Sequence, residues 1–556
     1  MSHDDDTARM KGMSLDRRID APLRDALPAL AAGFRAAGMW RTDTFMSVVL
    51  GHAGSAPERV AFRDDRSALT WAQLARAAYD AGRRLTSFGL GRGHVVGLRY
   101  ANVLESVVAQ LACELIGAQW INLSPTQSDA DLGRVLSLAG ANIVVGAPAG
   151  CRDVTDQRAG GPLRIEILEP ARRDRLVALQ PSIAAPMAAD EVFTLVLSSG
   201  TTSAGPKLAM RTMASFLSTA RAINAALALT ETDRTFVLAP ICFGAGHSLG
   251  VVSVLQAGGA GDFTNQAPGP ALLERLADAD ATVLVAVPTQ LRRLIGAMGN
   301  GRCLLPSLRL VVTAGATLTP ELAGEIEQRL NAPVLSVYGA SDGVMSTLPL
   351  INDPFAMRSA TVGRVSAGHD LKLIDVTGGA VGPGDIGEVC ARGPSMTLGY
   401  VNAPAEMRRA WDAEGWFHTG DLGTIDERGY LTLVGRLTDT IVRGGLKLNP
   451  VEIEAVLATS PAIEEVVVVR VPDLELGERA CAVVVVKRDC SFTFTEMIAL
   501  LERSGVSRSK FPESLVLRAS LPRSGAHKVL RRELELELAQ EPHVPACHAA
   551  RAAGGP

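Results

Sequence analysis

The sequence predicts an α/β protein. A large N-terminal domain of parallel-rich sheets with helices and a β-rich subdomain is followed by a small mobile α+β C-terminal domain. Three observations carry this. Short apolar runs alternate with helical patterns over the first two thirds of the 556 residues. Near residues 370–436 the pattern changes to shorter strands punctuated by glycine, and after Arg436 a compact mixed segment runs to about 535.

Taken in order, HVVGLRY (94–100), NIVVGAP (142–148), FTLVLSSG (193–200), TFVLAP (235–240), ATVLVAVP (281–288), LRLVVTAG (308–315) and APVLSVYG (332–339) read as buried strands. LESVVAQLACELIGA (104–118), ASFLSTARAINAALAL (214–229) and PELAGEIEQRL (320–330) read as amphipathic helices. LKLID, GEVCARG and GYLTLVG supply the β-rich stretch, and EEVVVVRV (464–471) and ACAVVVV (480–486) the strands of the last domain. The expected division is a tail over 1–25, a large domain over 26–436, a small domain over 437–535 and a second tail over 536–556.

Composition narrows the class. With 47% hydrophobic and 21% charged residues the chain can bury a large core. A net charge of −4 gives no broad attraction to nucleic acid or an anionic membrane. The eight cysteines include no CxxC pair, so no zinc ribbon is expected. The start, MSHDDDTARMKG, is acidic where a signal peptide is basic, which predicts a cytoplasmic protein. Residues 235–261 lack Lys, Arg, Asp and Glu, yet Pro240, His247 and six glycines argue for a buried strand–loop–helix over a membrane span. Only seven of the 55 basic residues are lysine, and Lys207, Lys447 and Lys528 fall inside motifs.

The first motif is LSSGTTSAGPK (197–207). Glycines let backbone N–H groups approach phosphate oxygens, hydroxyls add donors, and Lys207 can neutralise a phosphoryl charge. GxxxxGK[ST] is nearly matched, but Pro206 stands where lysine belongs, and the residue after Lys207 is Leu208 rather than Ser/Thr. A P-loop NTPase or kinase is thereby disfavoured.

The segment resembles the phosphate loop of adenylate-forming enzymes (acyl-CoA synthetases, peptide-synthetase adenylation domains and luciferases), whose usual pattern is SGTTGxPK. This chain is one residue longer there. The family's other motifs follow in order across about residues 30–535. GAT (315–317) is similar to the segment lining the adenine site, which implies contacts from Gly315 and Ala316. YGASD (338–342) stands where the family has YGxTE. It implies Tyr338 stacked on adenine, Gly339 beside it, Ser341 at the α-phosphate and Asp342 holding Mg2+ with one methylene less reach than Glu. HTGD (418–421) implies Asp421 on the ribose hydroxyls, where an acceptor-only carboxylate suits a diol. GRLTDTIVRGGLK (435–447) implies Arg436 on ribose or phosphate, Thr438 at the hinge position, Gly444 and Gly445 in the loop used for thiol transfer, and Lys447 on the nucleotide side. SGAHK (524–528) ends in the lysine expected to bridge carboxylate and phosphate, Lys528.

The implied catalytic set is thus Lys528, Asp342 and Lys207, with Ser199, Gly200, Thr201 and Thr202 in the phosphate loop. The implied cofactors are ATP and Mg2+, with CoA or carrier-bound phosphopantetheine as acceptor.

FRAAGMW (34–40) and the stretch from Gly444 to Lys528 resemble the aryl-acid AMP ligases of the dihydroxybenzoate and salicylate type. FRAAGMW read without that resemblance is an amphipathic helix. The acid pocket departs from that branch. Where its members carry His–Asn–Tyr, this chain has Phe243–Gly244–Ala245. Loss of an Asn that binds an ortho hydroxyl removes that discrimination, and no Asp holds an α-amine. The expected substrate is a non-amino acid with an apolar or aromatic body, walled by Phe243, Gly244, Val337, Ser341 and Met345. His247 reads as a pocket or core histidine, Cys242 as a buried core thiol. No carrier-type serine segment is read after residue 535, so a carrier protein is expected in trans. Transfer to free CoA is the alternative, and a non-catalytic nucleotide-binding homologue a third reading.

Overall fold

Apolar runs of four to seven residues between turn formers make short strands, and the turns after them decide which strands pair. A computed structural model describes residues 31–141, 143–146, 187–198, 207–299, 305–340, 344–443, 446–473, 476–523 and 529–540. The chain divides into two compact units. One comprises 1–372, 390–418 and 428–431, and the other 373–389, 419–427 and 432–556.

The first unit holds two sheets. In the nine-stranded sheet, Val334–Ala340, Leu310–Ala314, Val283–Val285, Arg234–Val237, Ala260–Phe263 and Val60–Arg63 lie side by side, every neighbour parallel. Antiparallel strands finish both edges: Val344–Leu348 and Arg364–Val365 on one side, Ala68–Thr70 on the other. The five-stranded sheet runs Ile143–Val145, Val95–Arg99, Gln119–Leu123, Val192–Ser198, all parallel, and ends in antiparallel Lys207–Thr212. All seven long apolar runs are strands, as the alternation predicts. The charge-free stretch 235–261 becomes strand, short helix Gly244–His247, a π-helical turn Ser248–Val252, helix Ser253–Ala257 and strand. No described helix is long and apolar enough to cross a membrane.

One helix departs from expectation. Leu104–Ile116 is buried on all sides, with Glu105 alone outside the core, so it is not amphipathic. A helix that is apolar all round packs inside. Here the helices Phe45–Ser55 and Trp71–Ser87 and the strands Val95–Arg99 and Gln119–Leu123 surround it. Its Glu114 is 2% exposed, and both carboxylate oxygens accept from the Met46 N–H at the start of Phe45–Ser55, at 3.1 and 3.0 Å. Pro320–Leu330 is amphipathic as predicted, burying Leu322, Ala323, Ile326 and Leu330 after a Thr319 cap.

In the second unit, Ile463–Asp473 and Gly477–Val486 form a long antiparallel hairpin, flanked by Ile441–Arg443, Leu446–Leu448 and a parallel strand Ser514–Leu517. Helices Pro450–Leu457 and Phe494–Arg503 supply Ile453, Leu457, Met497 and Leu501 to one core cluster with Val468, Ala482 and Val484 of that hairpin. These elements are mixed α+β, as the fold class predicts, and the unit also takes in 373–389 and 419–427.

Candidate active site

Parallel strands bring their carboxyl ends to one edge. The register aligns Val237 with Val285 and Ala314 with Val337, so the segments that follow these strands emerge side by side. Along this edge lie Pro240–Gly244, Gly315–Thr317 and Tyr338–Ala340, the last being the end of the strand Val334–Ala340. Ligands of open α/β sheets bind at such edges.

Each segment has a local reason for its path. Gly315 takes φ +86°, a left-handed conformation that breaks the strand sharply, and Ala316 and Thr317 are exposed beyond it. Tyr338 is 9% exposed and Gly339 open to solvent, with a register shift between them where the strand pairs with Val344–Leu348. Bulges of this kind re-aim side chains beside binding sites. The Met345 backbone lies opposite Gly339.

After Val237 the N–H groups of Leu238 and Ala239 both donate to the Val285 carbonyl, at 2.8 and 3.1 Å. Pro240 has no N–H to continue the ladder. The chain turns there, with Phe243 N–H donating to Pro240 O at 3.1 Å, and enters the helix Gly244–His247. A β-carbon on Gly246 would stand 2.3 Å from Pro240 O, so only glycine fits this approach. Phe243 and Gly244 are partly exposed, and Ala245 beside them packs on a buried apolar cluster that includes Ala239, Leu249, Val285, Val312, Ala314 and Val337.

His247 belongs to the core. It is 3% exposed, its Nε2 lies 2.9 Å from Gln110 Oε1, and Trp120 and Phe216 meet its ring edge to face. Burial, with the Arg211 charge, lowers its pKa to about 3, so the imidazole is neutral. Cys242 is partly rather than fully buried, and burial pushes its thiol up to about 12, so it carries no nucleophilic thiolate.

The phosphate loop is closed by a hairpin. Ser198 pairs with Lys207 across antiparallel strands, whereas a GxxxxGK[ST] loop leads from a strand into a helix. Lys207 opens the return strand with its ammonium 5.2 Å from the Tyr400 ring centroid, a cation–π contact. Ser199, Gly200, Thr201, Thr202, Ser341, Asp342 and Lys528 lie outside the described residues, as do Gly444 and Gly445.

Within the second unit the structure brings Asp421 and Arg436 together: Arg436 Nε donates to Asp421 Oδ1 at 2.8 Å. Thr419–Asp421, inside the strand Phe417–Ile425, is held by hydrogen bonds from its own and neighbouring segments. Thr419 Oγ1 donates to Val389 O at 2.8 Å, Gly420 N–H to Glu388 Oε1 at 3.1 Å and Asp421 N–H to Thr419 Oγ1 at 3.0 Å. Asp421 is 7% exposed. Thr438 sits in a 3-10 turn whose carbonyl accepts from Arg470, and Asn449 donates to Val434 O just before Gly435. The Lys447 backbone pairs with Val442. Sequence reasoning did not reach Glu388 or Asn449. Neither sits in a motif, and each acts on a segment distant in the chain.

FRAAGMW ends a helix and turns, and Trp40 is buried with Nε1 donating to Pro394 O at 2.8 Å.

Residues 51–401 match the AMP-binding enzyme family and residues 452–528 the AMP-binding enzyme C-terminal domain. The chain is 32% identical to the probable CoA ligase CCL9 of Humulus lupulus over 84% of this chain and 90% of that one. It is 30% identical to a salicylyl-CoA synthase / salicylate adenylyltransferase of Streptomyces sp over 90% and 95%. Among solved structures, ATP-bound MatB from Rhodopseudomonas palustris shares the fold, with a TM-score of 0.78 at 24% identity over 89% of this chain and 99% of that one. The matched span takes in the hairpin around the phosphate loop and the carboxyl edge alike, and the chain therefore belongs to the AMP-binding enzyme family of adenylate-forming ligases.

Proposed function

We propose that this ligase activates a non-amino carboxylic acid with an apolar or aromatic body, and passes the acyl group to the phosphopantetheine thiol of a carrier protein supplied in trans. The observation that carries the acid class is the pocket segment itself. Phe243 and Gly244 are partly exposed and lead into Ala245, which packs on a buried cluster of alanine, valine and leucine, and the neighbouring His247 is neutral and committed to Gln110. Such a wall offers neither a hydrogen bond to an ortho hydroxyl nor a charge for an α-amine.

In the first half-reaction a carboxylate oxygen attacks the α-phosphorus of ATP. The bond to the bridging oxygen breaks, and pyrophosphate leaves with that electron pair. Both reactants are anionic, so positive charge must stand between them. Lys528 bridges the carboxylate and the α-phosphate. Lys207 and the hydroxyls of Ser199, Thr201 and Thr202 receive the departing phosphates, and Ser341 the α-phosphate. Tyr338, Gly315, Ala316 and Gly339 hold adenine, and Asp421 with Arg436 the ribose. Asp342 offers the hard oxygen donor that Mg2+ prefers, and the bound ion would offset phosphate charge. In the second half-reaction the thiolate displaces AMP from the acyl carbon, giving a thioester. The small domain's loop at Gly444–Gly445 enters for that step, after turning about Thr438.

Transfer to free CoA is the second reading, supported by relatives named as CoA ligases. ATP–pyrophosphate exchange against benzoic, heteroaromatic, aliphatic and amino acids tests the first half-reaction. Exchange with a hydroxyl-free aryl or heteroaryl acid supports the pocket reading, and preference for salicylate or dihydroxybenzoate overturns it. Thioester formation on a phosphopantetheinylated carrier against free CoA then separates the acceptors.

A further inference from the structure

Asn102 joins the two sheets at the acid side of the edge. It follows the strand Val95–Arg99 of the five-stranded sheet, is 4% exposed, and sends its carboxamide to the nine-stranded one. Nδ2 lies 3.3 Å from the Val237 carbonyl, 3.1 Å from Ala239 and 3.4 Å from Thr264, while Oδ1 accepts from Ile241 N–H at 2.9 Å. The orientation of the amide is fixed by this set. Turned over, it would set an NH2 against an N–H and an oxygen against three carbonyls. Asn265 holds Asn102 in turn: its Oδ1 accepts from Asn102 N–H and its Nδ2 donates to Asn102 O, both at 3.0 Å.

Ala239 and Ile241 flank Pro240, where the ladder stops. One buried side chain therefore supplies to this segment the hydrogen bonds a strand neighbour would have given. Asn122 adds a weaker tie, Nδ2 to Ile241 O at 3.4 Å. Two residues beyond Ile241 stands Phe243.

We infer that Asn102 is a positioning residue for acid binding: it sets the path of Ala239–Ile241 and, through it, the placement of Phe243 and Gly244. The inference rests on the reading of those two residues as the acid-pocket wall. It assigns Asn102 no contact with ATP, whose segments Gly315–Thr317 and Tyr338–Ala340 hang from other strands.

The test uses the full chain with Asn102→Ala and, because Asn265 is exposed and its loss is milder for folding, Asn265→Ala. Two readouts are taken: hydrogen–deuterium exchange of peptides covering 238–246, and KM for acid and for ATP with the best acid of the panel. For Asn102→Ala we expect faster exchange confined to 238–246 and an acid KM raised about tenfold, with ATP KM within about twofold. Asn265→Ala moves both readouts the same way by less. Asn102→Asp, which keeps the acceptor for Ile241 but sets a carboxylate oxygen against the Ala239 carbonyl, does not rescue. Unchanged protection of 238–246 in both alanine variants overturns the inference, as does an ATP KM raised in proportion to that of the acid. Faster exchange at 238–246 with an unaltered acid KM overturns the pocket reading while leaving the path-setting role of Asn102 standing.

Discussion

Arg436 Nε donates to Asp421 Oδ1 at 2.8 Å, joining the ends of two motifs fifteen residues apart. A carboxylate bonded to a guanidinium is held in a set direction. If it grips the ribose diol, Asp421→Ala removes a charge-assisted contact and weakens nucleotide binding about tenfold or more. Arg436→Ala, which leaves the carboxylate in place, weakens it less. Calorimetric titration with ATP checks both, and a dissociation constant unchanged in Asp421→Ala refutes the ribose assignment.

Lys528→Ala should lower the rate of adenylate formation by about 100-fold or more, the usual cost of removing a group that meets transition-state charge. ATP binding should persist. Pyrophosphate exchange at the wild-type rate would show that another cation does this work.

Two buried groups give the fold opposite responses to acid. Burial raises Glu114 to about 7 against the hydrogen bonds from Thr44 and Met46, so its proton is bound more tightly in the folded state. Its stabilisation is complete below its ordinary value near 4.5 and is lost as pH rises through 7. His247, lowered to about 3, contributes stability above its ordinary 6.5 that fades as pH falls toward 3. Compared with the parent, Glu114→Gln should therefore lose less stability between pH 5 and pH 8. His247→Gln should lose less between pH 6.5 and pH 4. Urea midpoints across that range decide, and parallel curves for parent and variant would exclude either group as the source.

Gly246→Ala places a methyl 2.3 Å from the Pro240 oxygen. The turn must open, at a cost of about 1–3 kcal/mol in unfolding free energy, and the acid KM should rise with it. Wild-type stability would mean that the segment yields freely.

The strands were legible because apolar runs closed by Gly or Pro have few other solutions, and the segments that carry Gly315, Tyr338 and Asp421 stood out by their resemblance to family motifs. What escaped depends on partners far along the chain. LESVVAQLACELIGA shows polar residues at Glu105, Gln110 and Glu114 and so passes for a surface helix. Yet Glu114 is satisfied 68 positions away by Met46 and Gln110 137 positions away by His247. Asn102 reads as an ordinary turn former after a strand, and its bond to Ile241 spans 139 positions. The pairing of Asp421 with Arg436 was hidden for another reason. Each had been assigned to the nucleotide, and nothing in the spacing indicates that they also meet each other.

The rung between Ser198 and Lys207 makes the phosphate loop a clasped insert. Eight residues, 199–206, hang between two points that the ladder keeps fixed. The extra residue relative to SGTTGxPK falls within that span. Lengthening so short a span by one costs only about 0.1 kcal/mol of closure entropy. Length is therefore an independent variable between these two fixed points, and the Phe243 segment, carried by the other sheet, does not depend on it.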